Sequence, residues 1–186
     1  IITQVNYHWV FYYTLMGENV ALEEHIERTV RPILRSEFMG YDFRHIGDPS
    51  MERKGEQTNE SCKDVLTRMI PGPIIAGATS QPEREMAIRA VLRRGLQDSI
   101  PLVQIYRHDN QKLVRALSGG WCFYKDSMGK VYDKSWIKNE HSHPGEAASY
   151  GASILYPLGR MLAAEEALPP HHYTGLAHKS KVLYVV

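Results

Sequence analysis

The chain has 186 residues, with 22 Lys and Arg against 21 Asp and Glu and a formal net charge of +1. That length supports one domain with a core of its own, without disulfides or a structural metal. The near-even charge excludes the strongly basic footprint of a dedicated nucleic-acid module. No apolar run reaches membrane-spanning length and no basic-then-apolar leader opens the chain, so a soluble, unexported protein is expected. Cys62 and Cys122 show neither CxxC nor zinc spacing. They read as small buried hydrophobes in a reduced intracellular compartment.

Ile1 to Gln4 and Trp9 to Met16 are rich in β-branched and aromatic residues and predict two strands of a hairpin or meander. The chain opens without an initiator Met and already within a strand, so it is expected to be part of something longer. From Val20 to Ser36, Leu22, Ile26, Val30 and Leu34 recur every four residues as an amphipathic helix, which Pro32 should end or bend. Apolar residues then alternate through Phe43 and Ile46 and stop at Gly47-Asp48-Pro49, so Asp48 should project from the C-terminal end of a short strand. A polar loop, SMERKGEQTNES, follows, and Ser61 is positioned to cap a helix carrying Val65, Leu66 and Met69.

Pro71-Gly72-Pro73 closes that helix, and Ile74 to Ala76 forms a short strand. Pro82 opens a helix that directs Met86, Ala90 and Leu92 inward and carries Arg84, Arg89, Arg93 and Arg94. Leu102 to Tyr106 is another strand. Asp109 starts a helix through Leu113 and Leu117 that Gly119-Gly120 breaks. Trp121 to Tyr124 pairs with a strand near Val131 across the turn at Ser127-Met128-Gly129. A last long helix runs from about Pro144 to Ala164, and residues 169–186 form a tail or an added edge strand.

Two polar stretches stand out, HIGDPS around Asp48 and HSHPGEAASYG around Glu146. Strand ends are where α/β sheets place sites. Glu146 lies three residues after His143, so both can share one face of a helix's first turn. A cation between Asp48 and this pair would find oxygen and imidazole ligands. Each residue also has a plainer reading. Asp48 before Pro49 suits a turn-former, Glu146 a helix-start dipole partner, and His141 and His143 surface histidines. Arg84 and Arg89 on the arginine helix, and Lys138 and Asn139 ahead of Glu146, suit DNA phosphates or simple solvation. Glu18, after the second strand, is a weaker candidate for the same side of the sheet.

The order of a meander, βα units and a late helix bearing an acid resembles the ribonuclease-H-like nuclease fold. More closely, the chain resembles the C-terminal nuclease domain of the large terminase subunit of tailed bacteriophages. The residues that carry this are GDPS followed by the EQTNES loop, the helix through Leu92, and GGWCFYKDSMGKVYDKSWIKNEHSHPGEAASYG, over roughly residues 1 to 158. The resemblance implies an α/β fold with a mixed sheet and helices on both faces. Residues 1–168 would form the nuclease domain, short of its first strand. Asp48 would be the second acidic ligand, Glu146 the third, and His143 a histidine one turn ahead, holding Mg²⁺ or Mn²⁺, as two ions.

The implied activity is endonucleolytic cutting of concatemeric double-stranded DNA during viral packaging. The implied partners are the portal protein, the small terminase subunit and an ATPase domain of the same polypeptide, in the cytoplasm of an infected bacterial host. Two departures stand. The third position carries Glu where the family usually has Asp. The family's first Asp, on the opening strand, precedes the matching segment and is not in this chain, so weak metal affinity and feeble cleavage are expected. A non-catalytic DNA-docking module of the same fold, and another ribonuclease-H-like nuclease such as a junction resolvase, are the alternative readings.

Overall fold

A computed structural model describes residues 1–5, 8–55, 59–97, 103–155 and 182–185. The opening β-prone residues form an antiparallel pair, β1 (Ile2–Val5) and β2 (His8–Phe11), with Ile2 opposite Phe11 and Thr3 opposite Val10. Beyond Phe11 the extended run leaves the sheet, so the second strand is shorter than its composition predicts. The next helical rod comprises α1 (Leu22–His25), a π-helical turn (Ile26–Val30) and α2 (Arg31–Glu37). Pro32 does not stop it. Proline lacks an N–H and its ring crowds the carbonyl four residues back, and the wider π turn falls directly ahead of it.

β3 (Asp42–Gly47) ends at Asp48 as predicted, and α3 (Cys62–Met69) follows a short 3₁₀ turn at Pro49–Glu52. Ser61 caps α3 in a reciprocal box with Asp64: the Ser61 hydroxyl accepts from the Asp64 N–H, and the Asp64 carboxylate accepts from the Ser61 N–H. Then come β4 (Ile74–Ala76), α4 (Gln81–Gln97), β5 (Val103–Ile105), α5 (Gln111–Arg115) with a turn to Gly120, and the pair β6 (Phe123–Lys125) and β7 (Val131–Trp136). Last are α6 (Ser142–Leu155) and β8 (Val182–Val185). Leu102, residues 156–164 of the expected final helix, and residues 169–181 of the expected tail lie outside the described residues.

Among the described residues, six strands form one mixed sheet in the order β4-β3-β8-β1-β2-β5, and β6 and β7 make a separate two-stranded ribbon. β1 alone runs against its neighbours. β8 is parallel to β3, β3 to β4, and β2 to β5, while β1 is antiparallel to both β2 and β8. The position of β8 corrects the edge-strand expectation: it sits between β3 and β1, in the middle of the sheet.

Helices cover both faces, because side chains alternate along the first strands. Ile2, Trp9 and Phe11 point to one core with Ala87, Ile88, Val91, Leu113, Ala148 and Ala152, under α4, α5 and α6. Ile1 joins the other with Ile26, Val30, Leu34, Phe38, Met69 and Ile70, under α1, α2 and α3. Two details differ from the sequence reading. The inward face of α4 is Arg84, Ala87, Ile88 and Val91, and Met86 is exposed, one step around the helix from its expected place. Cys62 is exposed at the start of α3 and Cys122 half-buried, so neither is a core hydrophobe.

Candidate functional site

At the carboxyl end of β3, His45 and Ile46 are buried and the His45 Nε2 pairs with the Pro71 carbonyl at 2.8 Å. The Gly47 carbonyl accepts from the Gly77 N–H at 2.9 Å, which joins the ends of β3 and β4. Asp48 then leaves the sheet and caps the 3₁₀ turn, its Oδ1 accepting the Ser50 N–H at 2.7 Å. The turn-former reading of Asp48 therefore holds, and it engages only one of its two oxygens.

The start of α6 is built by Asn139. Its Oδ1 accepts from the His141 N–H, its carbonyl from the Ser142 N–H, and its Nδ2 donates to the Gly120 carbonyl. The helix thus opens at Ser142, two residues before Pro144. Gly145 lets it press on Trp121, since a Cβ there would lie 2.5 Å from the indole. His143, Glu146 and Tyr150, spaced three and four apart, share one face of the helix. That face meets the strand end: the Tyr150 hydroxyl donates to Asp48 Oδ2 at 2.8 Å. One turn further, Ser153 Oγ accepts from the Ala78 N–H. A Cβ on Gly77 would stand 2.5 Å from the Tyr150 ring, so Gly at this position admits the aromatic side chain.

The Asp48 strand end and α6 meet at Tyr150, a residue outside the sequence-derived candidates. Tyr150 was legible as the next residue on the helical face of Glu146. Its hydroxyl is pushed up to about 12, by burial first and then by the bond to Asp48, with Arg84 opposing. Burial alone would raise the Asp48 carboxyl. The Ser50 N–H, the Tyr150 hydroxyl and the Arg84 charge outweigh it and hold the group below its ordinary value, ionised at neutral pH.

Arg84 departs most from its sequence reading. It is buried, its guanidinium lying 4.2 Å from the Tyr150 ring centroid and 5.3 Å from that of Trp136. Nε and Nη1 are sealed from solvent without hydrogen-bond partners, so these atoms do not meet a DNA phosphate. Arg89 is exposed and paired with Glu85 at 2.7 Å, one turn away. Lys138 is exposed with its Nζ on Glu146, and Asn139 spends its amide on the loop, which corrects its reading as a phosphate contact. His141 is half-buried against Gly120 and is not a surface histidine. His143 is exposed. Glu18 lies seven residues past the end of β2, outside the sheet. It is exposed and pairs with Lys112 at 2.8 Å, apart from the Asp48 site.

Compared with known proteins, the chain matches no family model, no curated sequence and no solved structure. Its chemistry is read from the site alone. Asp48 and Glu146 supply hard oxygen donors of the kind Mg²⁺ and Mn²⁺ take, and each carboxylate oxygen keeps a lone pair beyond its present bond. Among the described residues no three His, Cys, Asp or Glu side chains gather into a metal-holding group, so His143 does not close the set as the side chains stand. Carboxylate oxygens with water are a donor type that suits a hard divalent ion, and Glu146 Oε1 is at present taken by Lys138. No helix among the described residues is long and apolar enough to cross a membrane.

Proposed function

We propose that this chain is a ribonuclease-H-like nuclease domain of the viral packaging-terminase type, which hydrolyses double-stranded DNA with Mg²⁺ or Mn²⁺. The observation that carries this reading is the Tyr150–Asp48 hydrogen bond, which brings the α6 face bearing Glu146 to the carboxyl end of a central strand. The mixed sheet with one reversed strand and helices on both faces supports the fold assignment. Divalent ions, when bound, would supply the activation of water and the stabilisation of the leaving oxyanion that phosphodiester hydrolysis needs. Asp48 and Glu146 hold the charge these ions need, and a second ion requires donors beyond this pair. Lys138, once off Glu146, offers its ammonium to a DNA phosphate. His143 stands exposed beside them to orient a water.

In this reading the duplex is gripped through its backbone, and cutting is directed by the portal protein, the small terminase subunit and an ATPase domain of the same polypeptide, in the host cytoplasm. The test is slow Mn²⁺-dependent nicking of supercoiled plasmid, lost in Asp48→Asn and Glu146→Gln. Preference for four-way junctions over linear and supercoiled duplex would move the assignment to a resolvase. DNA binding without Mn²⁺ binding or nicking would leave a docking module.

A further inference from the structure

Asp48 is held from two directions. The Ser50 N–H takes Oδ1 and the Tyr150 hydroxyl takes Oδ2, at 2.7 and 2.8 Å. An aspartate carboxylate otherwise turns broadly about its last torsion. Two anchors on two oxygens fix that torsion and decide which lone pairs face outward. The Tyr150 ring is itself confined, by Gly77 at its edge and by the Arg84 guanidinium over its face. Arg84 in turn is bracketed by Tyr150 from α6 and Trp136 from β7.

The state of Arg84 shows what this arrangement is for. A buried guanidinium with two unpartnered nitrogens is costly, and an apolar residue of similar volume would serve the core as well or better. Nε and Nη1 make no hydrogen bond and are closed to a DNA phosphate, so they do not account for an arginine here. Its flat stacking surface and its charge beside Asp48 do.

We infer that Tyr150 and Arg84 are positioning residues: the stacked pair aims the Tyr150 hydroxyl at Asp48 and so presents the outer lone pairs of that carboxylate to a divalent cation. The inference deepens the nuclease reading and rests on it for the identity of the cation. Hydrogen-bonded partners of a metal-holding carboxylate typically govern 10–100-fold in metal affinity or activity.

The experiment uses the full chain with Mn²⁺ alone as the probe, followed by its paramagnetic signal, alongside thermal melting and the Asp48 side-chain carboxyl carbon resonance without metal. Tyr150→Phe keeps the ring and removes the hydroxyl. It should weaken Mn²⁺ binding about 10-fold, move the Asp48 resonance and leave melting nearly unchanged. Arg84→Met keeps the volume and removes the stacking cation. It should melt no lower than the parent yet bind Mn²⁺ several-fold more weakly and move the same resonance. Arg84→Lys should not restore binding, because the ammonium lacks the planar stacking face. An Asp48 resonance unmoved by Tyr150→Phe would overturn the inference, as would Mn²⁺ binding that falls only in step with melting. If the parent chain binds no Mn²⁺, the nuclease reading fails, and the positioning of Asp48 stands or falls on the metal-free resonance.

Discussion

The two faces of the sheet handle charged groups in opposite ways. Under α1, α2 and α3 the buried polar side chains are Ser61 and His45, and the charges stay outside in exposed pairs, Arg28 with Glu24, Lys63 with Glu52, and Arg68 with Glu23 and Glu60. Under α4, α5 and α6 polar side chains go inside: Arg84, Asn110, Ser142, Ser149 and Ser153 are all buried. Most of these are satisfied. Asn110 donates to the carbonyls of Phe11, Tyr12 and Tyr106, and the three serines each bond a carbonyl at the preceding turn or loop. Arg84 is the exception, and it lies against the tyrosine that holds Asp48. The first face is built for cohesion. The second accepts the desolvation cost of a buried guanidinium beside the Tyr150–Asp48 contact, a departure from the local rules of folding.

This contrast can be broken by variants that separate stability from chemistry. The largest effect is expected from Asp48→Asn, which should reduce Mn²⁺-dependent nicking by at least ~100-fold, beyond what second-layer residues typically govern, while the protein still unfolds cooperatively. Plasmid assays and calorimetry on one preparation would check both halves. On the opposite face, Leu34→Ala should cost about 2–5 kcal/mol in urea unfolding and leave the Mn²⁺ affinity of the folded protein unchanged. A fall in affinity there would show that the two faces are not independent. Ser61→Ala removes the cap of α3 and should cost about 1 kcal/mol.

Acid sharpens the comparison further. The Asp48 carboxyl is held below its ordinary value in the folded chain, so its contribution is fully present above the unfolded value near 3.9 and is lost as pH falls through the lower folded value. Unfolding midpoints between pH 6 and pH 3 should therefore decline less steeply in Asp48→Asn than in the parent. A parallel decline would mean that the bonds from Ser50 and Tyr150 do not distinguish the ionised form. The smallest change is expected from Arg28→Ala, within about 0.5 kcal/mol, since its pair with Glu24 is solvent-exposed.

Much of the fold was legible because local signals were complete. The Gly47-Asp48-Pro49 stop, the Ser61 cap, the proline brackets around β4 and the turn at Ser127-Met128-Gly129 are all decided within a few residues and are present, although the strand before that turn runs Phe123–Lys125 rather than Trp121 to Tyr124. The candidate site was legible by half. Asp48 and Glu146 were selected on position and chemistry, and their elements do meet, whereas Tyr150 was passed over as an aromatic in a helix.

What the sequence by itself determined are the periodicities, caps and breaks, which depend on neighbours a turn or a strand step apart. Only the tertiary structure decided that VLYV enters the middle of the sheet, that Arg84 turns inward to stack on Tyr150, and that Lys138 rests on Glu146. Each of those joins residues distant in the chain or turns a side chain toward a partner from another element. Burial, stacking and charge pairing then outweigh local preference, and for β8 and for Arg84 on Tyr150 no short window of sequence contains both partners.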